Sequence, residues 1–139
     1  FQKRVGIFNM TASIVDALIL AVFADGKIDT EEAVLLQVFF SNYPEFSDVS
    51  RDSFEAAQIK LRNRLQSGKS VSDLVEEIGK NLDESDRNTA FAFAYEICAS
   101  NFTLDEQEVD LLKNMQTHWK LKPSVVKAVK LSAELRYRN

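Results

Sequence analysis

Apolar positions recur at spacings of three and four along most of the chain, which is the pattern of one helical face after another. Thr11 to Ala24, rich in Ala, Leu and Ile, predicts a first helix, and a second pattern runs from about Thr30 to Phe40. Tyr43-Pro44 ends it, because proline lacks the N–H of the helical ladder and disfavours helical geometry in the residue before it. Phe54, Ala57, Leu61 and Leu65 share one face of a third helix, which Gly68 stops. Ser70 or Ser72 caps a short fourth helix with Val71, Leu74, Val75 and Ile78 inward.

The fifth segment carries two periods at once. Ala90 to Tyr95 alternates as a half-buried strand would, yet alanine favours helix and is poor in strands. Asp83 to Asp86 offers a capping start, and Phe91, Tyr95, Cys98 and Phe102 fit a helical stripe, so the segment is read as helix. A sixth helix follows Asp105, with Val109, Leu112, Met115 or Gln116, and Trp119 at helical spacing. Lys122-Pro123-Ser124 starts a seventh, with Val125, Val126, Val129 and Leu135 as its apolar positions. Short connections throughout predict a compact all-α bundle of about seven helices, one domain spanning residues 1–139.

The chain also repeats itself. A shift of 76 positions lays Asp29, Glu32, Leu35 and Leu36 on Asp105, Glu108, Leu111 and Leu112, and Ile28 on Leu104. A duplicated helix-turn-helix core follows, covering about 13–40 and 89–116, with the two acidic turns placed to face each other across a pseudo-twofold axis.

Two roles suit these acidic turns. Asp29 and Asp105 are N-cap residues with Glu32 and Glu108 three positions on, the spacing of a capping box. Ile28 with Ala33, and Leu104 with Val109, stand where a hydrophobic staple places its partners. The other role is a divalent cation site. Asp25 to Glu32 matches the back half of a calcium-binding EF-hand loop, with Gly26 at the turn position. The front half does not match, since Ala21 and Phe23, or Ile97 and Ala99 in the second copy, offer no side-chain oxygen. Two facing half-loops would supply oxygens from Asp25, Asp29, Glu32, Asn101, Asp105 and Glu108, a set suited to a hard cation such as Ca²⁺ or Mg²⁺.

Ala24 to Glu32, followed by Leu35-Leu36 and by a weaker copy from Leu104 to Leu112, resembles the TerB-like domain of tellurite-resistance proteins. The resemblance implies an all-helical fold with a duplicated core and a non-enzymatic module tied to tellurite and other chemical stress. It also implies metal binding through acidic residues, carried over to Asp25, Glu32, Asn101 and Glu108, and a protein partner that is membrane-embedded in related systems. In the second copy Asn101-Phe102 stands where Asp-Gly is expected, and an amide brings oxygen without charge, which lowers cation affinity.

Composition narrows the chemistry further. One cysteine, Cys98, excludes an intrachain disulfide framework, and with one histidine, His118, the soft ligands are too few for a zinc knuckle. Four scattered glycines build no phosphate loop, and Cys98 sits mid-helix among apolar residues, as a structural thiol does. Acidic neighbours such as Glu76-Glu77 point about 100° apart on a helix and read as solvated charge. No catalytic residue is therefore assigned, and the chain reads as non-enzymatic. Phe39-Phe40, Tyr43 and Phe46 form an aromatic cluster whose ordinary place is the core, and His118 beside Trp119 reads as helix-end packing.

The net charge of −4 disfavours nucleic acid as a partner. It is unevenly spread: six cations and one anion lie between Thr117 and Asn139, giving +5 there and −9 elsewhere. The last helix is thus basic on an acidic body, which complements its own C-terminal dipole and is compatible with an acidic partner or a homodimer. The apolar run Ile14 to Ala24 is interrupted by Asp16 and too short to cross a bilayer, and cysteine usage fits a cytoplasmic location.

Overall fold

Six helices and no strand make up the described residues of the computed structural model, which are 13–23, 51–99 and 104–137. Residues 13–22 form α1, followed by α2 (Arg51–Gln66), α3 (Val71–Gly79), α4 (Glu84–Ala99), α5 (Glu106–His118) and α6 (Pro123–Tyr137). The expected second helix and the aromatic cluster from Phe39 to Phe46 lie outside the described residues. Among the described residues no helix is long and apolar enough to cross a membrane.

The α1 helix is apolar on nearly every side, and Ile14, Val15, Ala17, Leu18, Ile19, Leu20 and Ala21 are all buried. A helix of that kind belongs in the centre of a compact bundle. Its one anion, Asp16, accepts a 2.8 Å bond from the Lys60 ammonium of α2. Burial raises the Asp16 carboxyl above its ordinary range despite Lys60 and Arg64, which pull the other way.

Each later helix starts and stops for a local reason. Phe54 and Leu61 are buried on α2, with Ala57 and Leu65 half-buried beside them, as the spacing predicts. Past its end Gly68 takes a left-handed φ of 104°, which glycine adopts without steric cost, and Lys69 N–H returns to the Arg64 carbonyl. Ser70 is the cap of α3, and it forms a reciprocal box with Asp73. The Ser70 N–H bond, with the Ser70 hydroxyl next, holds the Asp73 carboxyl below its ordinary range. Leu74, Val75 and Ile78 face inward from α3, and Glu77 pairs with Arg64 across to α2.

The alternating segment is helical, so alanine's propensity outweighs the period of two. Asp83 accepts the Asp86 N–H at 2.8 Å at the start of α4, and Ala90, Phe91, Ala94 and Cys98 are buried. The Phe91 and Tyr95 rings pack tilted by 60° with centroids 5.9 Å apart. On α5 the buried positions are Leu111, Leu112 and Met115, and Trp119 at the C-cap, with Gln116 and Val109 half-buried.

The α6 helix corrects one expectation. Val126 and Val129 pack on the core and Ala133 is buried, while Leu135, expected inward, is 65% exposed. At about 100° per residue Leu135 lies away from the Val126, Val129 and Ala133 stripe. The helix turns its small residue, Ala133, to the bundle and its large one to solvent. Within the bundle α3 packs on α5, and α4 on both α5 and α6.

Three elements meet at the end of α3. The Trp119 indole N–H donates to the Val75 carbonyl at 2.9 Å, and the ring lies so close to Gly79 that a β-carbon there would sit 2.4 Å from it. Arg87 of α4 donates from Nε and Nη2 to the Gly79 carbonyl, at 3.1 and 2.7 Å, and from Nη1 toward the Trp119 carbonyl at 3.5 Å. One guanidinium thus serves carbonyls at the C-terminal ends of two helices, where a positive charge is also favoured by their dipoles.

Candidate functional site

Of the six candidate cation ligands, Asp25, Asp29, Glu32 and Asn101 lie outside the described residues, and Asp105 and Glu108 lie within them. Asp105 caps α5. Its Oδ1 accepts the Glu108 N–H at 2.8 Å, and Glu108 Oε1 accepts the Asp105 N–H at 3.1 Å. Each carboxylate therefore commits one oxygen to the first turn of its own helix, the capping geometry that the Asp-x-x-Glu spacing predicts.

Glu108 is half-buried, and it interacts with the Cys98 thiol of α4. Burial raises the Glu108 carboxyl, and the Asp105 N–H bond opposes the rise. The Cys98 thiol is pushed far above its ordinary range by burial first and by the Glu108 charge second, and its Sγ lies 3.9 Å from the Ala21 carbonyl oxygen. A thiol so placed stays protonated at neutral pH and is no nucleophile. A hard cation takes six or more oxygens, typically. Among the described residues no group of three or more His, Cys, Asp or Glu side chains converges to hold one.

A second polar cluster, which the linear pattern does not single out, joins α3 to α5. The Ser72 hydroxyl donates to Asn114 Oδ1 at 3.2 Å and lies 3.0 Å from His118 Nε2, while Glu76 Oε2 is 3.9 Å from His118 Nδ1. The outline resembles a serine, histidine and carboxylate relay, but the Ser72 hydroxyl has a second partner in Asn114, and the direction of its bond to His118 depends on the imidazole tautomer. Glu76 also stands beyond hydrogen-bond reach of Nδ1. The cluster fastens two helices. Its sequence signal was the pair of i, i+4 couples, Ser72 with Glu76 and Asn114 with His118, each on one face of its helix.

The third feature is the solvent side of α6. Leu131 is 55% exposed and Leu135 65%, and Ser124 and Ala128 are exposed at the matching helical positions. These four lie roughly 150° around the helix from Val126, Val129 and Ala133, so α6 carries two apolar stripes. Lys127 and Glu134, both exposed, flank the outer one. Comparison with known proteins leaves this geometry to stand alone, since no family model, no curated protein and no solved structure matches the chain.

Proposed function

We propose that the chain is a non-enzymatic binding module of the TerB-like, stress-associated kind, a cytoplasmic adaptor that docks a protein partner. The observation that carries this reading is the outer stripe of α6, where Leu131 and Leu135 face solvent from a helix already anchored by another face. One apolar stripe suffices to seat a helix on a bundle, and a second exposes large hydrophobic side chains without a structural return. In this reading the acidic turns are helix caps, and residues 13–40 and 89–116 are two copies of one unit within a bundle of about seven helices. The approach of Cys98 to the Ala21 carbonyl supports the duplication, because it joins equivalent segments of the two copies.

A second reading keeps the cation between the two acidic turns, and Glu108 favours it. Burial raises the Glu108 carboxyl, and a bound cation beside it would oppose that rise by favouring the charged form.

One pair of measurements separates them. A photo-crosslinking residue at position 135 of the full chain is expected to capture another polypeptide in cells, with a probe at exposed Lys80 as control. Capture from 135 no greater than from 80 would overturn the docking reading. Thermal unfolding of metal-stripped protein against Ca²⁺, Mg²⁺, Mn²⁺ and Zn²⁺ is expected to be flat. A saturable shift of several degrees, lost in Glu108→Gln, would establish the cation site instead.

A further inference from the structure

We propose that the outer stripe of α6 is covered by a second copy of this chain, with the two α6 helices antiparallel. The inference rests on the docking reading above and names its occupant.

The register follows from residues on α6 alone. Ser124, Ala128, Leu131 and Leu135 are spaced four, three and four apart, the seam spacing of a two-helix coil. In an antiparallel pair the seam places Ala128 against the partner's Leu131, and Ser124 against the partner's Leu135, each contact occurring twice. Every layer then joins a small residue to a large one, which lets the backbones approach evenly along the helix. In a parallel pair like meets like, so the leucine layers are wide and the Ala128 and Ser124 layers are empty.

The flanking charges make the same selection. Lys127 and Glu134 occupy equivalent positions, one heptad apart, on the same side of the seam. Antiparallel helices bring such positions together across the dyad, so Lys127 meets the partner's Glu134 and Glu134 meets the partner's Lys127. The opposite flank carries Val125 and Ser132, which introduce no like-charge contact. Arg136 donates to the Ser132 hydroxyl of its own helix at 2.8 Å and pairs with Glu96 of its own α4 at 3.5 Å. A surface complementary to itself under a twofold rotation is what an isologous dimer requires.

The interface is small. Two four-turn helices side by side bury less than the roughly 1,000 Å² of a stable complex, so the dimer is weak and forms with rising concentration.

The test is sedimentation equilibrium of the purified chain from micromolar to millimolar concentration, on wild type, Lys127→Glu, Glu134→Lys and the double exchange. All three variants are expected to keep the wild-type thermal melt, because both positions are exposed. Each single reversal turns two attractions into two repulsions and is expected to weaken association about tenfold at low salt. The double exchange restores both pairs and is expected to return association to the wild-type value. A monomer at every concentration overturns the proposal, and so does association that the single reversals leave unchanged or the double exchange fails to restore. If the chain is monomeric while position 135 still captures a different polypeptide in cells, the pairing falls and the docking reading stands. If it captures nothing, both fall.

Discussion

Gly79 and Trp119 are packed so tightly that the absence of one β-carbon is what lets the indole reach its hydrogen bond. A methyl group at Gly79 would lie 2.4 Å from one ring atom and 2.6 Å from Nε1. Gly79→Ala is therefore expected to cost about 1–3 kcal/mol through overpacking, even though alanine is the better helix former. Trp119→Leu removes the atoms in the way at its own cost. The double variant is expected to be less destabilised than the two singles together, which a double-mutant cycle in urea reads directly.

Arg87 ties the same corner from α4. Arg87→Gln keeps part of the side chain's packing and loses the charge that faces two helix ends. A loss of about 1–2 kcal/mol is expected, and faster amide exchange confined to the last turns of α3 and α5 would locate it. An unchanged urea midpoint would mean that water serves those carbonyls equally well.

The buried Asp86 gives stability a definite pH dependence. Burial, and then the neighbouring Asp83 carboxylate, raise its carboxyl above the ordinary value of 3.8. A group raised in the folded state contributes fully below the unfolded value, and that contribution is lost as pH rises through the folded one. Asp86→Asn is expected to be more stable than wild type at neutral pH and equal to it near pH 3, where both carry a neutral side chain. Denaturation curves at the two pH values check this, and a neutral-pH loss of stability would show that the α4 dipole outweighs the burial.

The two capping boxes should behave alike and independently. Ser70→Ala and Asp105→Ala are each expected to cost about 1 kcal/mol, and their effects should add, since the caps begin different helices. By contrast Leu131→Ser and Leu135→Ser are expected to leave the melt of the dilute protein within about 0.5 kcal/mol of wild type, because neither side chain is buried.

Local signals were legible and long-range ones were not. The Asp105 and Glu108 box, the Ser70 cap and the Gly68 stop are each written within a few residues, and each lies where the pattern puts it. The helical identity of α4 is legible in its alanines, its acidic start at Asp83 and the stripe of Phe91, Tyr95 and Cys98. Leu135 faces outward because α6 has two apolar stripes, and a sequence with two candidate faces does not say which one meets the bundle. Ala133 is too small to mark the inner face by hydrophobicity. Gly79 is one of four scattered glycines along the chain, and its role depends on an indole 40 positions away. The Ser72, Asn114 and His118 cluster escaped for the same reason, its members being 42 and 46 positions apart.

The charged pair under α1 answers a question of orientation. A helix apolar on every side gains nearly the same burial at any rotation about its own axis. Asp16 differs from its neighbours, and its Oδ2 has a partner in Lys60, whereas Oδ1 has none among the described residues. Asp16→Leu is accordingly expected to keep or raise the melting temperature while broadening the methyl resonances of Leu18 and Ile19, and sharp single resonances would refute the idea. The ion pair is then less a source of stability than a key in a keyway, letting the central rod of the bundle enter in one angular setting.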